Sequence, residues 1–330
     1  MNEGDTPRRK VTSFDVAERA GVSRAAVSRT FTPNASVSPE TREKVHKAAK
    51  ELGYRVNYLA RSLINRRSDL VGVVAAGMDN PFRSQQIHEI AKALVGRNFR
   101  PILLPADEAE SVNRMMDQLL HYNVSGVLVT SDAPPTALCE EFAAHAIPIV
   151  LINKGDAIAH VDRVISDDET AGRIAAETLL EAGATRLAVI CGAEVSYTAR
   201  RRQEAFLATC RGLGASAQAM PVAINDYGNG FAAAAAAADF DGLFCVNDYM
   251  AFGVIDGLRA AGRDIGKIRI VGHDDIPQAA WAAYDLTTLR QPCDIQAEQA
   301  VELLLGRMDA PRMKERTELT PVTLIRRATA

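Results

Sequence analysis

Cysteine is scarce in this chain of 330 residues: Cys139, Cys191, Cys210, Cys245 and Cys293 are scattered, odd in number and without CxxC spacing. That excludes a disulfide frame and a cysteine zinc site; the five read as small core residues of a reducing compartment. No apolar run reaches the roughly 20 residues that a membrane-spanning helix needs. The amino terminus, MNEGDTPRRK, lacks the apolar stretch of an export signal, so a cytoplasmic location is expected. Also missing are a nucleophile elbow, a phosphate-binding glycine loop and any metal-spaced partner for the cluster His273-Asp274-Asp275. Neither catalysis, a metal nor a cofactor is therefore expected.

Net charge is nearly absent too, at −3, but this hides an asymmetry. Residues 1–67 hold 14 Lys and Arg against 7 Asp and Glu, a net of +7; residues 68–330 carry −10. A basic head on an acidic body can release counterions from phosphates while the body is repelled by them.

Within that head, TSFDVAERAGVSRAAVSRTF (residues 12–31) reads as helix, tight turn and helix. Thr12 stands as the cap of a helix to about Ala20, Gly21 supplies the turn, and Ser23 caps a second helix to about Phe31. Val16, Ala17, Ala20, Val22 and Val27 are small or branched enough for the two helices to cross closely. Arg24, Ala25, Ser28 and Arg29 are left on the outer side of the second helix, which suits entry into a DNA major groove.

A third helix follows in SPETREKVHKAAKELGY, with Ser38 as cap, Pro39 in the first helical position and Gly53 as stop. Val45, Ala48, Ala49 and Leu52 make its buried stripe. Residues 1–10 read as a disordered tail, 11–56 as the three-helix head and 57–67 as a short hinge helix. The hinge is too short to stand alone and could order only against a partner copy and DNA, with a leucine wedged into the minor groove. From Leu70 onward, strand-like runs at 70–77, 100–106, 125–131, 147–153, 186–192, 241–247 and 268–274 alternate with amphipathic helices at 84–96, 111–122, 170–182, 199–213, 249–261 and 294–306. Continuous apolar strands separated by helices predict α/β architecture with parallel sheets covered on both faces. Seven or more units exceed one ordinary sheet, so the core 68–330 is expected as two lobes with a ligand cleft at the carboxyl ends of the strands. The alanine-rich stretch 232–238 is a helix by propensity.

The segments VTSFDVAERAGVSRAAVSR, SPETREKVHKAAKELGY, NYLARSL, NPF (80–82), TARRRQEAF (198–206), NDYMAFG (247–253), VGHDD (271–275) and LTTLRQP (286–292) resemble the LacI/GalR family of bacterial transcription regulators along nearly the whole chain. The resemblance implies a helix-turn-helix head, a hinge helix and a two-lobed core like that of periplasmic binding proteins. The N-lobe would take about 68–165 and 292–321, the C-lobe about 166–291 and 322–330. It implies a homodimer on a near-palindromic operator, usually a repressor; no heptad tail for tetramer formation follows PVTLIRR.

Carried over position by position, Arg24, Ala25 and Arg29 fall on the base-reading positions, and Ala25 can offer only a methyl contact. Thr12, Ser23, Ser28, Ser38, Thr41, Tyr54 and Asn57 match backbone-positioning residues, which fix register without reading sequence. Leu63 matches the minor-groove wedge and Ala60 its packing neighbour. In the cleft, Arg202, Asn247 and Asp274 match polar effector-holding residues, Thr198 a further hydroxyl, Gln291 a residue at the rear and Asn153 a position near the effector. Phe82 and Tyr227 offer apolar or stacking walls. Asn153 replaces a family aspartate, and Lys154 beside it, with Arg202, favours a sugar acid over a neutral sugar. A competing expectation keeps Asp274 and Arg202 as buried ion pairs that stabilise the lobes. The rival function is a solute-binding protein of a transport system, against which the basic head and the missing export signal both count.

Overall fold

The computed structural model describes residues 11–31, 35–55, 68–106, 117–130, 136–145, 147–155, 157–192, 194 and 196–330. The tail 1–10, the hinge 57–67 with Asn57, Ala60 and Leu63, and the first part of the helix expected at 111–122 lie outside the described residues.

The chain divides into two compact units, Met1–Ser68 and Asp69–Ala330. In the first, α1 (Ser13–Ala20), α2 (Arg24–Thr30) and α3 (Pro39–Leu52) enclose Val16, Ala17, Val27, Val45, Ala48 and Ala49. Local chemistry sets each end. The Asp15 carboxylate accepts from the Thr12 backbone amide and hydroxyl, both at 2.7 Å, tying down the start of α1. Gly21, at φ +66, closes α1 in the left-handed conformation and turns the chain into α2. Ser23 and Ser38 cap α2 and α3 by accepting the Ala26 and Thr41 amides.

The second unit contains two six-stranded sheets. The N-lobe sheet runs β11-β5-β4-β3-β1-β2 and is parallel throughout. Its strands are β1 (Leu70–Ala75), β2 (Arg100–Pro105), β3 (Gly126–Thr130), β4 (Ile149–Ile152), β5 (Asp162–Ser166) and β11 (Thr317–Thr320). The C-lobe sheet runs β12-β10-β9-β8-β6-β7, from β6 (Leu187–Cys191), β7 (Ala217–Pro221), β8 (Gly242–Cys245), β9 (Arg269–Asp274), β10 (Thr287–Arg290) and β12 (Thr323–Ile325). Only β12 in this sheet is antiparallel, an edge strand beside β10. The chain crosses between the sheets after β5, after β10 and between β11 and β12. Central strands β3, β4, β6 and β8 are buried along their whole length, as strands covered on both faces must be.

Helices α4 (Pro81–Gly96), α5 (Thr136–Ala144) and α10 (Cys293–Asp309) belong to the N-lobe; α6 (Asp168–Glu181), α7 (Tyr197–Gly212), α8 (Tyr227–Ala237) and α9 (Asp248–Ala260) belong to the C-lobe. The sequence pattern did not separate β5, β7, β10 and β11 as strands. All four are short; β5, β10 and β11 are largely polar, and β7 and β11 are sheet edges with half or more of each strand exposed, so no long apolar run marks them.

All five cysteines are buried and unpaired. Burial pushes the Cys191 and Cys293 thiols up to about 12. Among the described residues no helix is long and apolar enough to cross a membrane, and no cluster of His, Cys, Asp or Glu has the geometry of a metal site.

Candidate functional site

The head presents one outward face on α2. Arg24, Ala25, Ser28 and Arg29 are exposed there, while Val27 and Thr30 turn inward. Among the described residues neither Arg24 nor Arg29 meets a carboxylate, whereas Arg19 pairs with Glu51 at 2.6 Å and Lys44 with Glu40 at 2.8 Å. Thr12, Ser23, Ser38 and Thr41 sit at helix starts, where amides and hydroxyls gather. Tyr54 packs its ring at 5.9 Å from Phe31. Helix starts of this kind suit anions, because their free amides and dipole point the same way.

The core holds a cleft of about 570 Å³ including its mouth. It opens where strands end: Asn153 follows β4, Asn247 follows β8, Asp274 ends β9 and Gln291 follows β10. Seven of the eight expected residues line it, namely Phe82, Asn153, Thr198, Arg202, Asn247, Asp274 and Gln291. Tyr227 does not. Its hydroxyl donates to Asp256 at 3.0 Å and its ring lies 6.1 Å from Tyr249, so the α8–α9 pairing draws it aside. Lys154 is buried and likewise absent from the lining. Phe82 is a wall of a particular kind: it starts on the N-lobe helix α4 yet packs into the apolar cluster of the C-lobe.

Arg202 does not pair with Asp274. Its Nε donates to Asp168 at 2.7 Å and its Nη1 to the Val246 carbonyl at 2.8 Å. Gly172 makes this possible, since a Cβ there would stand 2.4 Å from the Arg202 carbonyl oxygen and force α6 and α7 apart. Asn247 caps α9 through Oδ1 and donates from Nδ2 to the Asn225 carbonyl at 2.8 Å. Asp274, at φ +122, accepts from Gln291 at 2.7 Å and lies 3.1 Å from the His273 Nδ1. From Gln291 a chain of amides and one hydroxyl runs through Ser166 and Gln296 to Gln86 on α4, binding the crossover between the lobes.

Electrostatically the cleft is unusual for its buried aspartates. Burial raises the Asp274 carboxyl to about 7 against the pull of Arg202, Gln291 and Arg83; burial raises Asp168 to about 6 in spite of Arg202. Burial also pushes Asp248, behind them, well above the ordinary carboxylate range, and His273 well below the ordinary imidazole value, so that ring is neutral. A carboxyl that binds its proton more tightly folded than unfolded favours the fold at low pH. Stability from Asp274 is full below about pH 4 and is lost as pH rises toward 7. Asp274→Asn is therefore expected to raise the urea midpoint of the ligand-free protein at pH 8, with the gain shrinking toward pH 5. An equal midpoint at both pH values would mean that Asp274 ionises without cost.

Pattern reading missed Asn80, Arg83, Gln86, Ser196 and Asn225 in the lining. Gln86 falls four residues after Phe82 on the same helical face and was within reach of helical spacing; Arg83 follows NPF directly, where that spacing gives no signal. Asn225 carries no such signal.

A basic helix-turn-helix unit followed by a two-lobed, cleft-bearing α/β core defines a ligand-responsive DNA-binding transcriptional regulator. Residues 14–57 match the bacterial regulatory proteins of the lacI family, and residues 176–330 match the periplasmic binding protein-like domain. The HTH-type transcriptional regulator CelR of Thermobifida fusca is 31% identical over 96% of both chains, and the ribose operon repressor of Escherichia coli K12 is 28% identical over 96% of this chain and 98% of its own. A lac repressor dimer bound to operator and the anti-inducer ONPF superposes with a TM-score of 0.86 at 26% identity, covering 97% of this chain and 99% of its own. The chain belongs to the LacI family of bacterial transcriptional regulators.

Proposed function

We propose that this protein works as a homodimeric repressor whose grip on a near-palindromic operator is set by a small carbohydrate-type effector in the cleft. In this reading Arg24, Ala25 and Arg29 meet base edges. Thr12, Ser23, Ser28, Ser38, Thr41, Tyr54 and Asn57 hold the phosphate backbone, and Leu63 beside Ala60 enters the minor groove. The effector lies against Asp274, Asn247, Arg202, Thr198, Asn153 and Gln291, with Phe82 as its apolar wall. The observation that carries the reading is the cleft itself, where polar side chains of both lobes converge at the carboxyl ends of parallel strands. Among the relatives, one represses a ribose operon, and CelR has been solved with cellobiose at a TM-score of 0.72.

A ligand that touches both lobes favours one angle between them, and three chain crossings allow that angle to change. Operator and effector are then linked reciprocally, by a coupling of about 1–3 kcal/mol. The test is fluorescence anisotropy of the full chain on duplexes selected from a random pool, with and without sugars. A selected palindrome should bind at least about 1000-fold tighter than random duplex. Equal binding of both, at any salt and with any sugar, would end the proposal.

A further inference from the structure

A second cation faces the cleft. Arg83, on the first turn of α4, lines its N-lobe wall. Its Nη1 donates to the Ala76 carbonyl at 2.9 Å, and among the described residues no carboxylate pairs with it. The backbone is shaped around the guanidinium: Gly77 has φ +62, and a Cβ there would stand 2.3 Å from the Arg83 Nη1. Any other residue at 77 would both strain the turn and displace the arginine. From the C-lobe wall, Arg202 spends Nε on Asp168 and Nη1 on the Val246 carbonyl; among the described residues its Nη2 has no partner.

Two guanidinia thus border one space in which Asp274 is the sole lining carboxylate among the described residues. Burial raises that carboxyl to about 7, so it supplies only part of a negative charge near neutrality. The caps of three helices, Asn80 of α4, Ser196 of α7 and Asn247 of α9, line the same space, adding their positive dipole ends. Asp168 answers Arg202, so Arg83 is the lining cation left without a carboxylate partner among the described residues.

We infer that the effector bears an acidic group, a carboxylate or a phosphate, held by Arg83 while its hydroxyls lie against Asp274 and Asn247. The inference rests on the cleft being the effector site, as proposed above. A guanidinium offers paired N–H donors that match either anion. Because Arg83 belongs to the N-lobe and Asp274 and Asn247 to the C-lobe, one ligand spanning them draws the two lobes together.

Calorimetry on the full chain tests this with six probes: D-glucose, D-gluconate and D-glucose 6-phosphate, and D-ribose, D-ribonate and D-ribose 5-phosphate. At least one acid should bind, with its neutral parent weaker by about 10-fold or more. Arg83→Met should weaken that acid by about 10- to 100-fold and the neutral parent by much less, and Arg83→Lys should recover part of the loss. Preference for the hexonate or pentonate over the phosphate identifies a carboxylate; the reverse identifies a phosphate. A neutral sugar that binds as well as its acid, and is lost in Asp274→Ala, overturns the acidic group and keeps the cleft. A neutral sugar unaffected by Asp274→Ala overturns both. Silence from all six probes also defeats the inference, and the operator experiment then still decides the wider function.

Discussion

Arg307→Met is expected to destabilise the core by about 3–5 kcal/mol, the usual cost of stranding one partner of a buried ion pair. Asp162 opens β5 and is completely buried; Arg307 on α10 is 1% exposed and reaches it through Nε at 3.3 Å and through Nη2. Arg316, just before β11, adds a second guanidinium at 2.8 Å and its backbone amide at 2.7 Å. The same Arg307 donates to the carbonyls of Met313 and Lys314, so it fastens the loop that returns the chain to the N-lobe sheet. Methionine keeps most of the side-chain volume but leaves a buried carboxylate with Arg316 alone. Burial by itself raises the Asp162 carboxyl, yet the bonds from Arg316 and Arg307 outweigh it and hold the group below the ordinary range. A lowered folded-state value gives stability above the unfolded value, near pH 4, that is lost as pH falls through the folded one. The deficit of Arg307→Met should accordingly be largest at neutral pH and narrow toward pH 3. Adding Asp162→Asn to Arg307→Met should recover part of the loss, because a neutral amide costs less to bury. Urea titrations of the parent and the two variants measure this, and a deficit below about 1 kcal/mol at pH 7 would mean that Asp162 is reached by water.

Much of this architecture was legible because its signals are local or periodic. Thr12, Ser23, Ser38 and Gly53 mark helix ends by hydrogen-bonding habit and backbone freedom, and each stands where the structure caps a helix. Buried strands such as β3 and β6 announce themselves as unbroken apolar runs. Edge strand β11 does not: reading TELT, it has the composition of a loop, whereas edge strand β2 keeps an apolar run within RPILLP. The cleft was legible in part for a related reason. Asp274, Asn247 and Arg202 lie in motifs, but their partners depend on folding across long separations. Nothing in the chain says that Arg202 will choose Asp168, 34 residues away, over Asp274. Nor does local sequence reveal that the Tyr227 hydroxyl belongs to Asp256, or that Gly77 reserves room for Arg83. Such choices follow from helix packing, which is a property of the assembled lobes.

The second large effect is expected on DNA. If Arg29 bonds bidentately to guanine, Arg29→Ala should cost about 1–3 kcal/mol at each half-site, hence about 2–6 kcal/mol for two heads on one operator. Folding of the head should be unaffected: Arg29 is exposed, and among the described residues no ion pair within the head depends on it. The core beneath, Val16, Val27 and Val45, stays intact. Base contacts and phosphate contacts differ in their response to salt, which separates two roles that a simple affinity loss would merge. Removing a base-reading arginine should flatten preference at one operator position and leave the slope of log affinity against log salt nearly unchanged. Removing a phosphate-binding cation should weaken all duplexes alike and reduce that slope by about one per contact. Anisotropy titrations of Arg29→Ala on the selected operator, on each single-base variant and at four salt concentrations give both quantities. A lower slope with unaltered base preference would move Arg29 from the groove to the backbone, and the reading of α2 as the recognition helix would then rest on Arg24 and Ala25 alone.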